Sequence, residues 1–392
     1  MRFMFLIFLP FSIFASDIHT LANIAYKNNP QFKLLDNKIK SNEFDILNST
    51  IENNPILSLG ITDINIDKPL KRDLEAMQTQ FISLSQKFTN NNKLNANKDI
   101  YKVEKQIIKT SIQHTKELIL KKLYSYYFEY TKLQLDKKIL NKYITNIKQI
   151  QKFHNNHINH KQAYQASIQN DLNLENLQIR LLKINQQIEI IFINISELTN
   201  QKITSINSNN KLIYNNKLAI NHSALELANL QIKKEQAKQN LLNTKTSSDF
   251  TINAGYYIRE SRDDYINLAI MFPLQVSDIE DNRVKQSTYK IEESKNDLEV
   301  LKNKLNNAMQ TNLSNIKFST LTLNSLDKVI KLQNKELKLI TSQNNINTLI
   351  KALELKNNIL SNELKKNTQN YLYNLAKLEL SYLSANLRIN HE

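Results

Sequence analysis

Apolar residues along this chain follow two periods, and the changeover between them happens twice. Just after Pro55, Leu57, Leu59 and Ile61 alternate with Ser58, Gly60 and Thr62, and a second stretch sets Ile82, Leu84 and Phe88 against Ser83, Ser85 and Lys87. Far downstream, Phe250, Ile252, Ala254, Tyr256 and Ile258 alternate with Thr251, Asn253, Gly255, Tyr257 and Arg259. A fourth stretch sets Ile266, Leu268, Ile270, Phe272 and Leu274 against Asn267, Ala269 and Met271. Period two over roughly ten residues predicts strands with one apolar and one polar face, the pattern of a membrane barrel strand. The stretches pair into hairpins at about 55–89 and about 248–276, with charged turns at 67–73 and 260–264.

Between and after the hairpins the period becomes helical. No proline or glycine occurs from residue 90 to about 153. A helix through that stretch would be about 95 Å long at 1.5 Å per residue. Leu298, Leu301, Leu305, Met309, Leu313 and Ile316 step by three and four, and Leu323, Leu326 and Ile330 continue the habit. Such steps give the narrow seam of a coiled-coil-like bundle. Asn, Lys, Gln and Ser fill the remaining positions, which suits the wall of a hollow assembly better than a solid globule.

The helix–hairpin–helix unit recurs. Asn29-Pro30-Gln31-Phe32 precedes the first hairpin and Asn221-His222-Ser223-Ala224-Leu225 the second, while Tyr101-Lys102-Val103-Glu104 returns as Tyr289-Lys290-Ile291-Glu292. The only two glycines, Gly60 and Gly255, fall at matching places on the polar faces, where a missing side chain leaves room for close inward packing. Repeats of this kind predict a tandem duplication, with a first repeat at 17–205 and a second at 206–392. Residues 1–16, with one arginine, a short apolar run and Ala15 before Ser16, read as a secretory signal peptide. The run is shorter than the ~20 residues of a membrane helix.

Four strands cannot close a membrane barrel, whose smallest members have about 8. An open edge in lipid would leave backbone groups unpaired at several kcal/mol each. Three copies would supply about 12 strands and leave a lumen. The fold class predicted is therefore mainly α with transmembrane β, a duplicated long-helix/β-hairpin/long-helix unit that closes as a trimer.

Composition narrows the function further. The chain carries a net charge of +15, but its cations are scattered along helices among Asn, Ile and Glu, so no nucleic-acid partner is expected. Cysteine is absent, which excludes disulfide and thiol chemistry. Two distant glycines cannot build a phosphate-cradling loop, and no zinc-protease helix or nucleophile elbow occurs. The chain reads as a non-enzyme with no cofactor.

The motifs together resemble the TolC-type outer-membrane efflux proteins. The resemblance is carried by Asn29-Pro30, Ile82 through Phe88, Tyr126-Tyr127 and Asn267 through Leu274, in that order, from about residue 17 to 390. It implies a homotrimer with a 12-stranded barrel in outer-membrane lipid and a periplasmic α-helical tunnel. It also implies a passive exit duct for small molecules, drugs or metal cations, served by a periplasmic adaptor and an inner-membrane pump. The adaptor would dock at two hairpin tips. Here the tips read Phe153-His154-Asn155-Asn156 and Ser342-Gln343-Asn344-Asn345, lacking the glycine common in the family, so Asn155, Asn156, Asn344 and Asn345 are the implied docking positions. Asparagine tolerates left-handed backbone better than most residues. Channels of the family narrow with acidic residues after the second tip, which makes Glu354 the gate candidate, between Lys351 and Lys356.

His154, His157 and His160 crowd the first tip. At helical spacing they fall roughly along one side and could share a cation, but no carboxylate or cysteine stands beside them, so a polar exposed turn is the favoured reading and no metal is expected. A rival reading of the whole chain is an adhesive or structural coiled-coil protein of the envelope, with strands used only for self-association. A periplasmic adaptor ranks last, because it needs glycine-rich β modules.

Overall fold

The structure is a computed structural model that describes residues 16–387 except 70, 76, 156–160, 209–211, 245–248, 261, 275 and 343–345. In chain order its elements are β1 (Ser16–Asp17), α1 (Ile18–Asn28), α2 (Pro30–Asn48), β2 (Ile56–Thr62), β3 (Thr79–Phe88), α3 (Asn91–Asn155) and α4 (Lys161–Thr199). The second half follows with β4 (Ile206–Asn207), α5 (Ser223–Asn243), β5 (Phe250–Ile258), β6 (Tyr265–Met271), α6 (Ile279–Thr341) and α7 (Ile346–Leu383). The chain divides into two compact units, and both draw on both halves: Met1–Leu34, Ile112–Ser223 and Leu301–Glu392 form one, Leu35–Ser111 and Ala224–Val300 the other.

In the first unit, polar side chains fix the order of the helices. Lys137 reaches Asn185 between α3 and α4; Asn367 donates to the Lys132 carbonyl and to Asp136 (2.8 and 2.7 Å) between α7 and α3; Gln369 reaches Ser319 between α7 and α6. The helices therefore neighbour one another as α4–α3–α7–α6. On one side of α3, α1 buries Ile18, Leu21, Ala22 and Ala25 in a core shared with Leu120, Leu123, Ile195, Leu380 and Leu383.

Capping explains the Asn29-Pro30 motif. Asn29 closes α1 through its own N–H to Ala25 and caps α2 by accepting from the Gln31 N–H, and its amide donates to the Leu198 carbonyl at the end of α4. Pro30 opens α2 at the one position that needs no donor. Helices α4 and α7 end alike: Asn200 and Ala385 adopt φ of 48° and 55°, and the next N–H groups return to Ser196 and Ser381. These are Schellman turns, completed without glycine.

In the second unit, Lys105–Glu43 (2.7 Å), Lys234–Glu104 (2.8 Å) and Gln239–Thr288 (2.9 Å) order the helical segments as α2–α3–α5–α6. The strands form one antiparallel sheet in the order β2-β3-β5-β6. Both hairpins lie where the alternation predicts them, and β3 pairs with β5 to join them. No described helix is long and apolar enough to cross a membrane.

Candidate functional site: a two-faced sheet and a grooved helical wall

Register decides what each face of the sheet carries. Leu59, Ile82, Tyr256 and Ile266 form one row across the four strands, and Leu57, Leu84, Ala254 and Leu268 form the next. Nearly every side chain in these rows is exposed in the single chain. Phe88, Phe250 and Phe272 stack in a further row at the end nearer the helices, with ring centroids 5.0 and 6.1 Å apart. Gln80 and Gln86 bound the apolar stretch of β3, and the Gln86 amide folds onto the Asn53 and Lys87 carbonyls. The result is an apolar band with a row of aromatic rings at one edge, the pattern seen on the outer face of membrane barrels.

The opposite face is polar, with one feature the alternation did not reveal. Gly60, Phe81, Tyr257 and Tyr265 share a single row. The three rings stack at 5.3 and 4.9 Å with interplanar angles of 24° and 10°, and the Arg259 guanidinium lies over Tyr265. Neither glycine has a positive φ, so neither serves the backbone. Both are needed for space. A Cβ at Gly60 would lie 2.6 Å from the Phe81 ring, and one at Gly255 would lie 2.8 Å from Tyr257. Gly60→Val should therefore push Phe81 off its stack and cost about 1–3 kcal/mol, as overpacking does. A lower thermal unfolding midpoint measures this, and Phe81→Ala in the same chain should restore part of the loss. Equal effects with and without Phe81 would contradict the contact.

Where strands meet helices, carboxylates hold the join. Glu52, just before β2, accepts from the Thr89 N–H, and Asp249, just before β5, accepts from the Asn90 N–H and from Lys93 at 3.0 Å. Burial alone would raise the Asp249 pKa. The Lys93 hydrogen bond, the Asn90 N–H and the charges of Lys93 and Lys87 outweigh it and hold the carboxyl below its ordinary value.

A buried cluster in the first unit has the composition of a catalytic triad but the wrong polarity. Ser223 donates to Glu117 (2.6 Å), so its hydroxyl proton is committed, and His114 Nδ1 at 2.8 Å must be the donor to Ser223. A nucleophilic serine gives its proton to the imidazole instead. Burial, helped by Lys121 and opposed by Glu117, lowers the His114 pKa and keeps it neutral. Tyr382 beside this cluster is pushed up to about 12 by burial and by Glu117 and Glu379. The cluster ties α3 to the start of α5.

Of the residues singled out by sequence, Glu354 is exposed on α7. It lines a polar groove of about 1150 Å³ with Asn170 and Arg180 of α4, Asp136 of α3, and Asn358 and Lys365 of α7. His154 and Asn155 lie in the last turn of α3. His157, His160, Asn156, Asn344 and Asn345 lie outside the described residues, as does most of the signal segment. Among the described residues no group of three His, Cys, Asp or Glu side chains could hold a metal.

This architecture matches known structures over nearly its whole length. The outer-membrane protein VceC from Vibrio cholerae superposes with a TM-score of 0.70 at 12% identity, covering 94% of this chain and 96% of that one. The open state of the Neisseria gonorrhoeae outer-membrane channel MtrE gives 0.73 at 8% identity, over 94% and 88% of the two chains. The fold is that of the TolC-type outer-membrane channels. The Campylobacter jejuni outer-membrane channel CmeC agrees, with a TM-score of 0.69 at 12% identity and coverage of 96% and 87%. No protein-family model matches the sequence, and no curated protein is similar to it. At these identities the likeness is one of fold, and it is a likeness to channels rather than to enzymes.

Proposed function

We propose that this chain is the outer-membrane duct of an efflux assembly, a homotrimer whose sheets close a 12-stranded barrel and whose helices form a periplasmic tunnel. One observation carries the reading: a four-stranded sheet with two unpaired edges exposes a continuous apolar face, so it needs both lipid and further strands. The sequence halves 17–205 and 206–392 are taken as tandem copies, supported by the matched Schellman turns of α4 and α7 and the matched carboxylates before β2 and β5. The hairpin ends at Asn155, Asn156, Asn344 and Asn345 are the docking tips for a periplasmic adaptor, which would connect the duct to an inner-membrane pump. Small molecules, drugs or metal cations would pass through it unmodified, and no metal is assigned to His154, His157 and His160.

Planar-bilayer recording of protein purified from the outer-membrane fraction tests the proposal. Stable ionic conductance supports a duct; a soluble, non-conducting fibre would favour an adhesive or structural envelope protein. Glu354 serves as a gate residue if its three copies ring the passage, since charge rings set ion selectivity. Glu354→Gln should then reduce cation preference under a salt gradient. An unchanged reversal potential would remove Glu354 from the passage.

A further inference from the structure

A second groove, of about 880 Å³, opens on the first unit, and its chemistry is unlike that of the groove at Glu354. Leu118 of α3, Leu198 of α4, Phe318 of α6, and Leu372 and Leu375 of α7 give it an apolar lining. Phe318 is 63% exposed, with Leu118 and Leu372 exposed beside it. Apolar side chains left uncovered inside a concave groove are the usual lining of a small-molecule site. The volume lies within the range of small-molecule pockets, roughly 300–1,000 Å³.

The charges at the groove are asymmetric. Lys121 is paired with Glu379 at 2.5 Å and lies over the Tyr382 ring, so that cation is satisfied. Lys122, also on the groove, is exposed and makes no ion pair among the described residues. The apolar stretch, bordered by Thr115, Ser125, Asn312 and Asn315 and ending at the unpaired Lys122 ammonium, complements an apolar body bearing a single carboxylate. Position agrees with access. The α1 side of α3 is marked by Tyr26 bonding to the Lys116 carbonyl and His19 meeting Tyr124. Leu118 and Lys122 lie about 200° round the helix from Lys116 and Tyr124 respectively, at 100° per residue. The Leu118–Lys122 side of the groove therefore faces away from α1, while Gln31 at the start of α2 lines it as well.

We propose that this groove binds amphiphilic carboxylates, with the apolar body on Leu118, Phe318 and Leu372 and the carboxylate on Lys122. Its role as a resting place for cargo in the passage depends on the duct reading; the binding itself does not. The test uses trimer held in a non-ionic detergent and a dansyl-aminoundecanoate probe, with the methyl ester of the probe as the uncharged comparison. The expected result is saturable fluorescence at one probe per chain, with the ester weaker. Lys122→Glu should weaken binding of the acid roughly tenfold or more while leaving the ester unchanged, as reversal of one contacting charge does. Phe318→Ser should weaken both.

Equal affinity of wild-type and Lys122→Glu protein for the acid would overturn the proposal. So would a signal matched by detergent micelles alone, or binding by monomer that is lost in the trimer, which would mean that a second copy covers the groove. Conductance of the same preparations separates this inference from the duct. A conducting trimer with Lys122-independent binding sinks only the groove. A non-conducting protein that binds in the Lys122-dependent way sinks only the duct.

Discussion

Leu268→Arg should abolish outer-membrane assembly, whereas Asn267→Arg, one residue away, should leave it intact. In an isolated chain the two positions are alike: both are exposed on the edge strand β6, Leu268 at 68%. A water-soluble protein would tolerate either substitution within about 0.5 kcal/mol. The faces differ, however. Leu268 stands in the row of Leu57, Leu84 and Ala254, and Asn267 in the row of Ser58, Ser83 and Gly255. If the apolar face meets lipid, an arginine there costs about 2–4 kcal/mol near the bilayer midplane, three times over in a trimer. The same charge on the lumen side meets water. Heat-stable oligomer in the outer-membrane fraction is the readout, and equal behaviour of the two variants would contradict the assignment of faces.

A carboxylate in the helical seam should be as damaging. Edge helices α4 and α6 each carry two apolar stripes on opposite sides. On α4, Leu177, Ile184, Ile191 and Ile195 are buried, while Ile168, Leu172, Ile179, Leu182, Ile190 and Ile193 are uncovered. The uncovered set falls within about 80° of arc at 100° per residue. On α6, Met309 is buried with Leu305, Leu313 and Ile316 packed on the same core, and Leu321, Leu332 and Leu339 are uncovered on the far side. Two opposed stripes suit a helix in the middle of a layer, yet these helices end theirs. In the proposed trimer the layer continues into another copy. Leu182→Glu (Leu182 is 68% exposed) or Leu332→Glu would then bury an uncompensated charge at each seam, at about 3–5 kcal/mol. We expect monomer by native mass, with Lys183→Glu still trimeric. A trimer unaffected by both seam variants would mean that the stripes face something else.

How far the sequence speaks depends on which kind of information a feature needs. The hairpins and the long helices were legible because period and the absence of breakers act locally: β2, β3, β5 and β6 fall within the predicted stretches, and α3 runs on through Asn155. Face was legible too, because alternation fixes it. Register was not, since a slip of two residues keeps every side chain on its face. Hence the row of Gly60, Phe81, Tyr257 and Tyr265 emerged only from the strand pairing. The glycines were recognised as space-makers, but not the rings that fill the space. Ala385 carries no hint of its left-handed backbone, which the end of α7 imposes. The groove at Lys122 joins residues from five helices at separations of up to several hundred positions, and no local pattern could bring them together. The two compact units cut across the sequence halves for a related reason: α3 and α6 each contribute to both.

Four strands supply one third of the proposed barrel. Native mass spectrometry of the protein released from membranes in mild detergent counts the copies that close it. The expected mass is that of three chains, collapsing to one when Leu182→Glu is introduced. A single chain that stays folded in detergent, or an assembly whose copy number leaves the strand edges unpaired, would contradict it.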